Sequence, residues 1–162
     1  MSETTQQYKE RIENYLGTMD PIEILKATSA RLETFVTRLE NQQKQPSEQW
    51  TALEILSHLA ESEIVYGYRI RKALNASGTA IEATDQNVWV KNAGYLQQNP
   101  QLALSLFQTV RKANISFLKS LTPQQLENFG IHSERGKESI AQMARMIAGH
   151  DINHLQQMEK LL

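Results

Sequence analysis

Cysteine is absent from this 162-residue chain, which excludes disulfide bonds and thiolate metal ligands. Proline and glycine are scarce, with four and seven residues, so little interrupts regular structure. No apolar run approaches the roughly 20 residues that a membrane-spanning helix needs. The 17 basic and 18 acidic residues are interspersed, which favours neither nucleic acid nor an anionic membrane as a partner. Any metal site must therefore use histidine, carboxylates, backbone or water.

Length and the opening residues bear on domain count and location. A chain of 162 residues without a repeat or linker predicts a single domain over residues 1–162. Residues 1–15 are polar and lack the apolar core of a signal peptide, so we expect a cytoplasmic protein.

Apolar residues recur with helical period along most of the chain, and β-branched alternation is nearly absent. The pattern predicts a short helix and four long ones, over residues 4–16, about 21–40, 51–74, 100–121 and 139–162. Four long amphipathic helices indicate an all-α four-helix bundle with essentially no strand. On the third long helix the predicted buried face comprises Leu102, Leu106, Val110, Ala113, Phe117 and Leu121. On the fourth it comprises Ile140, Ala144, Ile147, Met158 and Leu161.

Capping residues and polar stretches set the boundaries. Gly17 is predicted to end the short helix. Asp20-Pro21 and the capping box Thr51 to Glu54 are predicted to begin the first and second long helices. Residues 42–49 and 132–137 are predicted as polar loops.

The long connection over residues 75–100, between the second and third long helices, permits a crossover topology. One short helix is expected after Asp85. Connections of this length are often functional, so the segment is either a lid or a structural crossover that buries Trp89 against a groove.

Two of the four histidines, His150 and His154, stand four residues apart on the fourth long helix. This spacing places both imidazoles on one helix face, where they can reach one metal ion. His58, on the second long helix beside its apolar stripe, is a third candidate ligand. Three imidazoles on two helices could leave a coordination position open, as catalytic sites do. The alternative is that these histidines hydrogen-bond other side chains or face a partly wet groove.

Neighbouring polar residues have competing interpretations. Asp151 occupies the place of the glutamate in H-E-x-x-H, which is the general base of zinc proteases. Asp151 could be a base, an acceptor that orients a histidine N–H, or a partner for Arg69, Arg145 or a tryptophan N–H. The last two roles are favoured. His132 is interpreted as a surface residue.

A di-metal site of the bundle type is not expected, because no Glu-x-x-His pair occurs on the predicted helices. The carboxylates considered for such a site are Glu54, Glu61 and Glu63.

Two segments resemble a known family. Residues 50–63, WTALEILSHLAESE, resemble the second-helix signature of the DinB-like superfamily, and residues 148–157, AGHDINHLQQ, resemble its C-terminal signature. The order of Tyr8, Gly17, Asp20-Pro21 and Trp50 also fits, as does LTPQQL over residues 121–126.

The resemblance implies a DinB-like four-helix bundle that binds one divalent metal ion through His58, His150 and His154. Zinc and nickel suit an all-nitrogen triad best. Some members of the family resemble S-transferases that use low-molecular-weight thiols, others have no assigned activity, and dimers are common. A homodimer and a small-molecule substrate, such as a thiol, are therefore expectations from the resemblance.

Two functions stay open at this stage. The protein is a metal-dependent enzyme, either a thiol transferase or a hydrolase, or it is a non-catalytic, stress-associated bundle with a structural metal. A fourth protein ligand, such as Glu54, Glu61 or Asp151, would favour the structural role.

Overall fold

The computed structural model describes residues 3–39 and 49–162. The predicted loop over residues 42–49 lies outside these ranges except for Gln49. In chain order the elements are α1 (Thr5–Leu16), α2 (Pro21–Leu39), α3 (Ala52–Asn75), β1 (Thr79–Ile81), α4 (Gln86–Asn92), α5 (Pro100–Ser120), α6 (Pro123–Leu126), β2 (Phe129–His132), β3 (Gly136–Ser139) and α7 (Ile140–Leu161). A short 3-10 turn, Tyr95–Gln97, precedes α5.

Local sequence signals explain where the helices begin and end. The backbone N–H of Ile22 donates to the Asp20 carboxylate at the start of α2. Thr51 and Glu54 form the predicted reciprocal capping box at the start of α3. Gly17 ends α1 with a φ of 54°, a conformation that glycine adopts without a steric penalty. These boundary predictions are confirmed.

The four long helices α2, α3, α5 and α7 form the predicted four-helix bundle. Helix α2 packs against α5 and α7, and α3 packs against the same two helices. Contacts between α3 and α5 advance in the same direction, from Glu63–Arg111 to Arg71–Asn114. These helices therefore run parallel, and residues 76–99 return the chain along the bundle. No helix in the described ranges is long and apolar enough to span a bilayer.

A small sheet at one end of the bundle departs from the prediction of a strand-free fold. Strand β1 pairs in parallel with β2, and β2 pairs antiparallel with β3. His132 ends β2, opposite Ile81 on one side and Gly136 on the other. Side chains alternate along β2, so Ile131 faces solvent and His132 faces inward. His132 is only 2% exposed, so its interpretation as a surface residue is wrong. The loop predicted over residues 132–137 is confined to a turn at residues 133–135, because its ends belong to β2 and β3.

The bundle core consists of two apolar clusters that occupy different stretches of the same helices. On α3, Leu59 belongs to one cluster and Tyr66 to the other. On α5, Phe107 and Leu118 divide in the same way. Buried polar side chains lie near the junction of the two clusters, and we call them the polar layer: Thr28, His58, Glu63, Arg111, Asn114, His150, Asp151 and His154.

The polar layer explains why the buried face of α5 was predicted wrongly. Leu102 is 71% exposed, and Leu106 is exposed as well. The buried side chains of α5 are instead Ala103, Leu104, Phe107, Arg111, Asn114 and Leu118. Two of these side chains, Arg111 and Asn114, are polar. The spacing of the apolar residues alone therefore predicted a neighbouring face of the helix as the buried one. The predicted stripe of α7 is confirmed except for Leu161, which is exposed.

Helix α1 packs against α7 at Gly149. A Cβ atom at this position would lie 2.2 Å from the backbone oxygen of Ile12. Glycine therefore permits an approach that any side chain would block. The contact is next to His150, so it positions α1 beside the candidate site.

Candidate metal centre

Three imidazoles from two helices converge in the polar layer. The Nε2 atom of His150 lies 3.0 Å from Nε2 of His58 and 3.1 Å from Nε2 of His154. One ring nitrogen from each residue lies within 4.8 Å of the others, as ligands of a single ion require. All three side chains are buried. The helical spacing of His150 and His154 places them on one face of α7, and antiparallel packing brings His58 of α3 opposite them.

Hydrogen bonds outside the cluster determine which nitrogen can bind a metal. The Nδ1 atom of His154 contacts Oε1 of Gln157 at 2.8 Å. An amide oxygen can only accept, so Nδ1 carries the proton and Nε2 presents a lone pair to the cluster. A hydrogen bond at the remote ring nitrogen is the usual way in which a ligating histidine is oriented. The Ser62 contact of His58 is different, because Oγ of Ser62 lies 3.4 Å from Nε2, the nitrogen that also faces His150.

Burial keeps the cluster neutral. Burial, and to a smaller extent the charge of His154, lower the pKa of His58 to about 3. Burial also lowers the pKa of His154 to about 4, against a raising effect of the hydrogen bond to Gln157. The pKa of His150 lies well below its usual value for the same primary reason. Neutral imidazole is the form that binds metal, so the donor set suits a divalent cation.

Aromatic side chains hold the rings in place. The indole of Trp50 stacks on His154 with an interplanar angle of 6° and a centroid distance of 6.1 Å. It also lies 5.0 Å from the ring of His58. On the opposite side, the ring of Tyr66 lies 6.4 Å from that of His150. These contacts restrict ring rotation and shield part of the cluster from water.

Asp151 forms a buried ion pair with Arg111, a partner that the sequence did not suggest. Its Oδ2 accepts from Nη1 of Arg111 at 2.5 Å and from Oγ1 of Thr28 at 2.8 Å. Nη2 of Arg111 donates to Oδ1 of Asp151 and to Glu63. Both Asp151 oxygens are engaged, so the geometry favours the structural role over a general base. The predicted partners Arg69 and Arg145 donate to backbone carbonyls instead.

Two cavities adjoin the cluster. The first, which we call the Tyr66 cavity, has a volume of about 460 Å³ and is lined in part by His58 and His150. The second, the Trp50 cavity, has a volume of about 570 Å³ and includes His154. Glu3, Tyr8 and Gln86 line both cavities. The cluster therefore lies where two spaces of small-molecule size meet.

The connection over residues 75–100 contributes to the wall of the Tyr66 cavity. It contains β1 and the expected short helix, α4, for which Asp85 is the N-cap. Trp89 lines the cavity and is 37% exposed, so it is not buried in a groove. Its position fits the interpretation as a partial lid better than that as a buried crossover.

Comparisons with known proteins agree with this architecture. The profile of the DinB superfamily matches residues 22–158. The chain belongs to the DinB superfamily. Two proteins of Oceanobacillus iheyensis, both provisionally named metal-dependent hydrolases, are 28% and 24% identical to it over 112 and 110 residues. The matches cover 69% and 65% of this chain and 64% and 61% of the relatives. The chain thus spans less than two thirds of the length of these relatives.

A solved structure confirms the fold. YfiT from Bacillus subtilis, described as a "probable metal-dependent hydrolase with an unusual four-helix bundle topology", superimposes with a TM-score of 0.80. The match covers 99% of this chain and 88% of YfiT, at 21% sequence identity.

In this DinB-superfamily protein, several polar residues near the cluster escaped the sequence interpretation. Arg111 and Glu63 occupy core positions of amphipathic helices. A charged residue at such a position is the sequence signal that could have indicated a buried ion pair. His132 sits at an inward position of β2, but the strand is too short to produce a clear alternation. Arg69, which the sequence offered as a partner for Asp151, lines the Tyr66 cavity together with His58.

Proposed function

We propose that this protein is a metal-dependent hydrolase of small molecules that holds one divalent ion with His58, His150 and His154. The convergence of three neutral imidazoles beside a cavity is the observation that supports this proposal most directly. The provisional names of the two relatives are consistent with it.

The carboxylates that could close the coordination shell are engaged elsewhere. Glu54 accepts from the backbone and hydroxyl of Thr51. Glu61 accepts from the hydroxyl of Tyr95 at 2.5 Å. Asp151 is paired with Arg111. Within the described residues, the histidine cluster contains no carboxylate. This favours an exchangeable position and hence catalysis over a purely structural metal.

Zinc or nickel is the proposed ion, because an all-imidazole donor set suits borderline metals. When bound, the ion supplies Lewis acidity that polarises a carbonyl or lowers the pKa of water. The protein contributes the geometry. Gln157 fixes the tautomer of His154, Trp50 fixes its ring plane, and the surrounding side chains limit the access of water.

Equilibrium dialysis of metal-free protein against zinc, nickel, cobalt, manganese and iron tests the site. We expect one ion per chain in wild type and a large loss of affinity in His150→Ala. Arg145→Gln is the control, since Arg145 contacts the Gly17 carbonyl outside both cavities. Wild-type protein that takes up none of these metals would contradict the proposal.

The loaded protein is then assayed with ester and amide substrates. Hydrolysis that is lost in His150→Ala and kept in Arg145→Gln supports the proposed reaction. Conjugation of a low-molecular-weight thiol without hydrolysis would replace it with the transferase activity that the family resemblance implies. Absence of both activities, combined with a cobalt spectrum that azide does not perturb, would favour a structural metal.

A further inference from the structure

His132 presents an unused hydrogen-bond donor. Its Nδ1 atom accepts from the backbone N–H groups of Glu134 and Arg135, at 3.2 and 3.3 Å. Because Nδ1 accepts, the ring proton must be on Nε2. That atom is buried and has no hydrogen-bond partner among the described residues. Burying a donor without a partner destabilises a protein, so the position of this N–H calls for an explanation.

Arg69 is a buried cation without a carboxylate partner in the described ranges. It is 7% exposed, and Nη2 donates to the neutral backbone carbonyl of Glu82 at 2.6 Å. Burial lowers the pKa of Arg69, and the neighbouring Arg135 adds to this effect. Arg135 is itself neutralised by two hydrogen bonds to the buried Glu138. Among the described residues Arg69 therefore has no carboxylate in hydrogen-bond contact, and Glu138 acts on it only from a distance.

Arg69 and His132 are both lining residues of the Tyr66 cavity, together with His58 and His150, although the Nε2 atom of His132 is itself covered. The guanidinium of Arg69 lies 5.6 Å from the ring centre of Tyr66, which in turn lies 6.4 Å from that of His150. These two contacts place the guanidinium no more than about 12 Å from the His150 ring. A small molecule can therefore touch Arg69 at one end and the histidine cluster at the other.

We propose that Arg69 and the Nε2–H of His132 form a subsite for a carboxylate, so that the substrate is a small carboxylic acid whose reactive group lies at the histidine cluster. Arginine and a neutral N–H donor match the oxygens of a carboxylate. One cation without a carboxylate in contact fits a monoanion better than a doubly charged phosphate. Glu3 and Glu134 also line the cavity, but both are exposed, so water screens their charges, and Glu3 is paired with Arg11.

The inference about the substrate rests on the proposed function, whereas the carboxylate subsite can be tested without it. The probes are adipic acid monohydroxamate and its neutral counterpart, in which an amide replaces the carboxylate. Affinities are measured by isothermal titration calorimetry with both zinc-loaded and metal-free protein. The hydroxamate end reports on the metal, and the ratio of the two affinities reports on the subsite.

We expect wild type to bind the carboxylate probe at least about tenfold more tightly than the amide probe, as charge-assisted hydrogen bonds allow. Arg69→Gln should bring the ratio close to one. His132→Asn should reduce it, because asparagine can replace the Nδ1 acceptor but not the Nε2–H donor. Arg145→Gln is the matched control, since Arg145 also donates to a backbone carbonyl but lies outside the cavity. Its ratio should equal that of wild type.

Binding of the amide probe and far-UV circular dichroism report whether each variant is folded. If Arg69→Gln does not fold, the ratio of the two probe affinities in Arg69→Lys and His132→Asn takes its place as the test of the subsite. A wild-type ratio of one in both forms of the protein would overturn the proposal, as would a ratio unchanged in Arg69→Gln and His132→Asn. If zinc does not bind but the ratio in metal-free protein depends on Arg69, the subsite stands and the proposed function fails.

Discussion

The Nε2 atoms of His58 and His150 lie 3.0 Å apart, although 92 residues separate them in sequence. His150 Nε2 makes a second contact of 3.1 Å with His154, whose Nε2 carries a lone pair. A single N–H on His150 can satisfy only one of these contacts. A cation shared by all three rings would satisfy every lone pair, which is why the cluster is best understood as a set of ligands.

Metal affinity should depend on the triad and not on the fourth histidine. His154→Ala removes one of three ligands, and changes even to the partners of ligands typically cost 10–100-fold in affinity, so we expect a loss above about 100-fold. His132→Asn should bind zinc almost as well as wild type. Competition with a chromogenic zinc chelator measures both. Equal losses in the two variants would show that the ligands are wrongly assigned.

Acid should destabilise the metal-free protein through its buried histidines. Their pKa in the unfolded chain is about 6.5, whereas the folded values are about 3 for His58 and about 4 for His154. Below about pH 6.5 the unfolded chain therefore binds more protons, and stability is lost as pH falls towards the folded values. The urea midpoint should drop between about pH 7 and pH 4.5, and less steeply in His58→Leu. If the urea midpoint falls with pH at the same slope in wild type and in His58→Leu, this account is contradicted.

Loss of the Arg111 side chain should be among the most damaging single changes. Arg111→Met leaves Asp151 and Glu63 buried without their cation, and breaking a buried pair in this way costs about 3–5 kcal/mol. Urea unfolding followed by circular dichroism gives the change in free energy. Arg31→Gln is the control, because its ion pair with Glu159 is half-exposed and should contribute less than about 1 kcal/mol. The triple variant with Asp151→Asn and Glu63→Gln should recover part of the loss.

Gly149→Ala should loosen α1. The new Cβ atom would meet backbone of Ile12, which cannot rotate away as a flexible side chain could. Overpacking of this kind costs about 1–3 kcal/mol. Amide hydrogen exchange across α1 should accelerate relative to that in α5. Ala148→Gly is a suitable comparison, since it changes the neighbouring helical position without adding an atom. If amide exchange in α1 is unchanged, a small backbone shift is enough to relieve the contact between the new Cβ atom and Ile12.

Sequence patterns predicted those parts of the fold that depend on local signals. The caps at Thr51 and Asp20 and most of the buried stripe of α7 follow from spacing within one element. The face of α5 did not, because Arg111 and Asn114 occupy core positions and hide its period. Once the polar residues are included, the buried positions of α5 recur at alternating intervals of three and four residues. These positions are Leu104, Phe107, Arg111, Asn114 and Leu118.

The candidate site was partly predictable for the same reason. His150 and His154 are linked by helical spacing, and His58 by an apolar stripe and by resemblance. The partners of Asp151 are distant in sequence, since Arg111 lies 40 residues away and Thr28 lies 123 residues away. The inward position of His132 is set by a strand of four residues, and an alternating pattern over so few residues does not stand out from chance.

The separation between His58 and His150 also has a consequence for biosynthesis. At translation rates of about 5–20 residues per second, the ribosome needs roughly 5–20 s to advance the 92 positions from His58 to His150. Throughout that interval the nascent chain offers one imidazole of the cluster and cannot chelate an ion. If the three histidines hold one ion, as proposed, metal loading is a late event that must follow synthesis of α7.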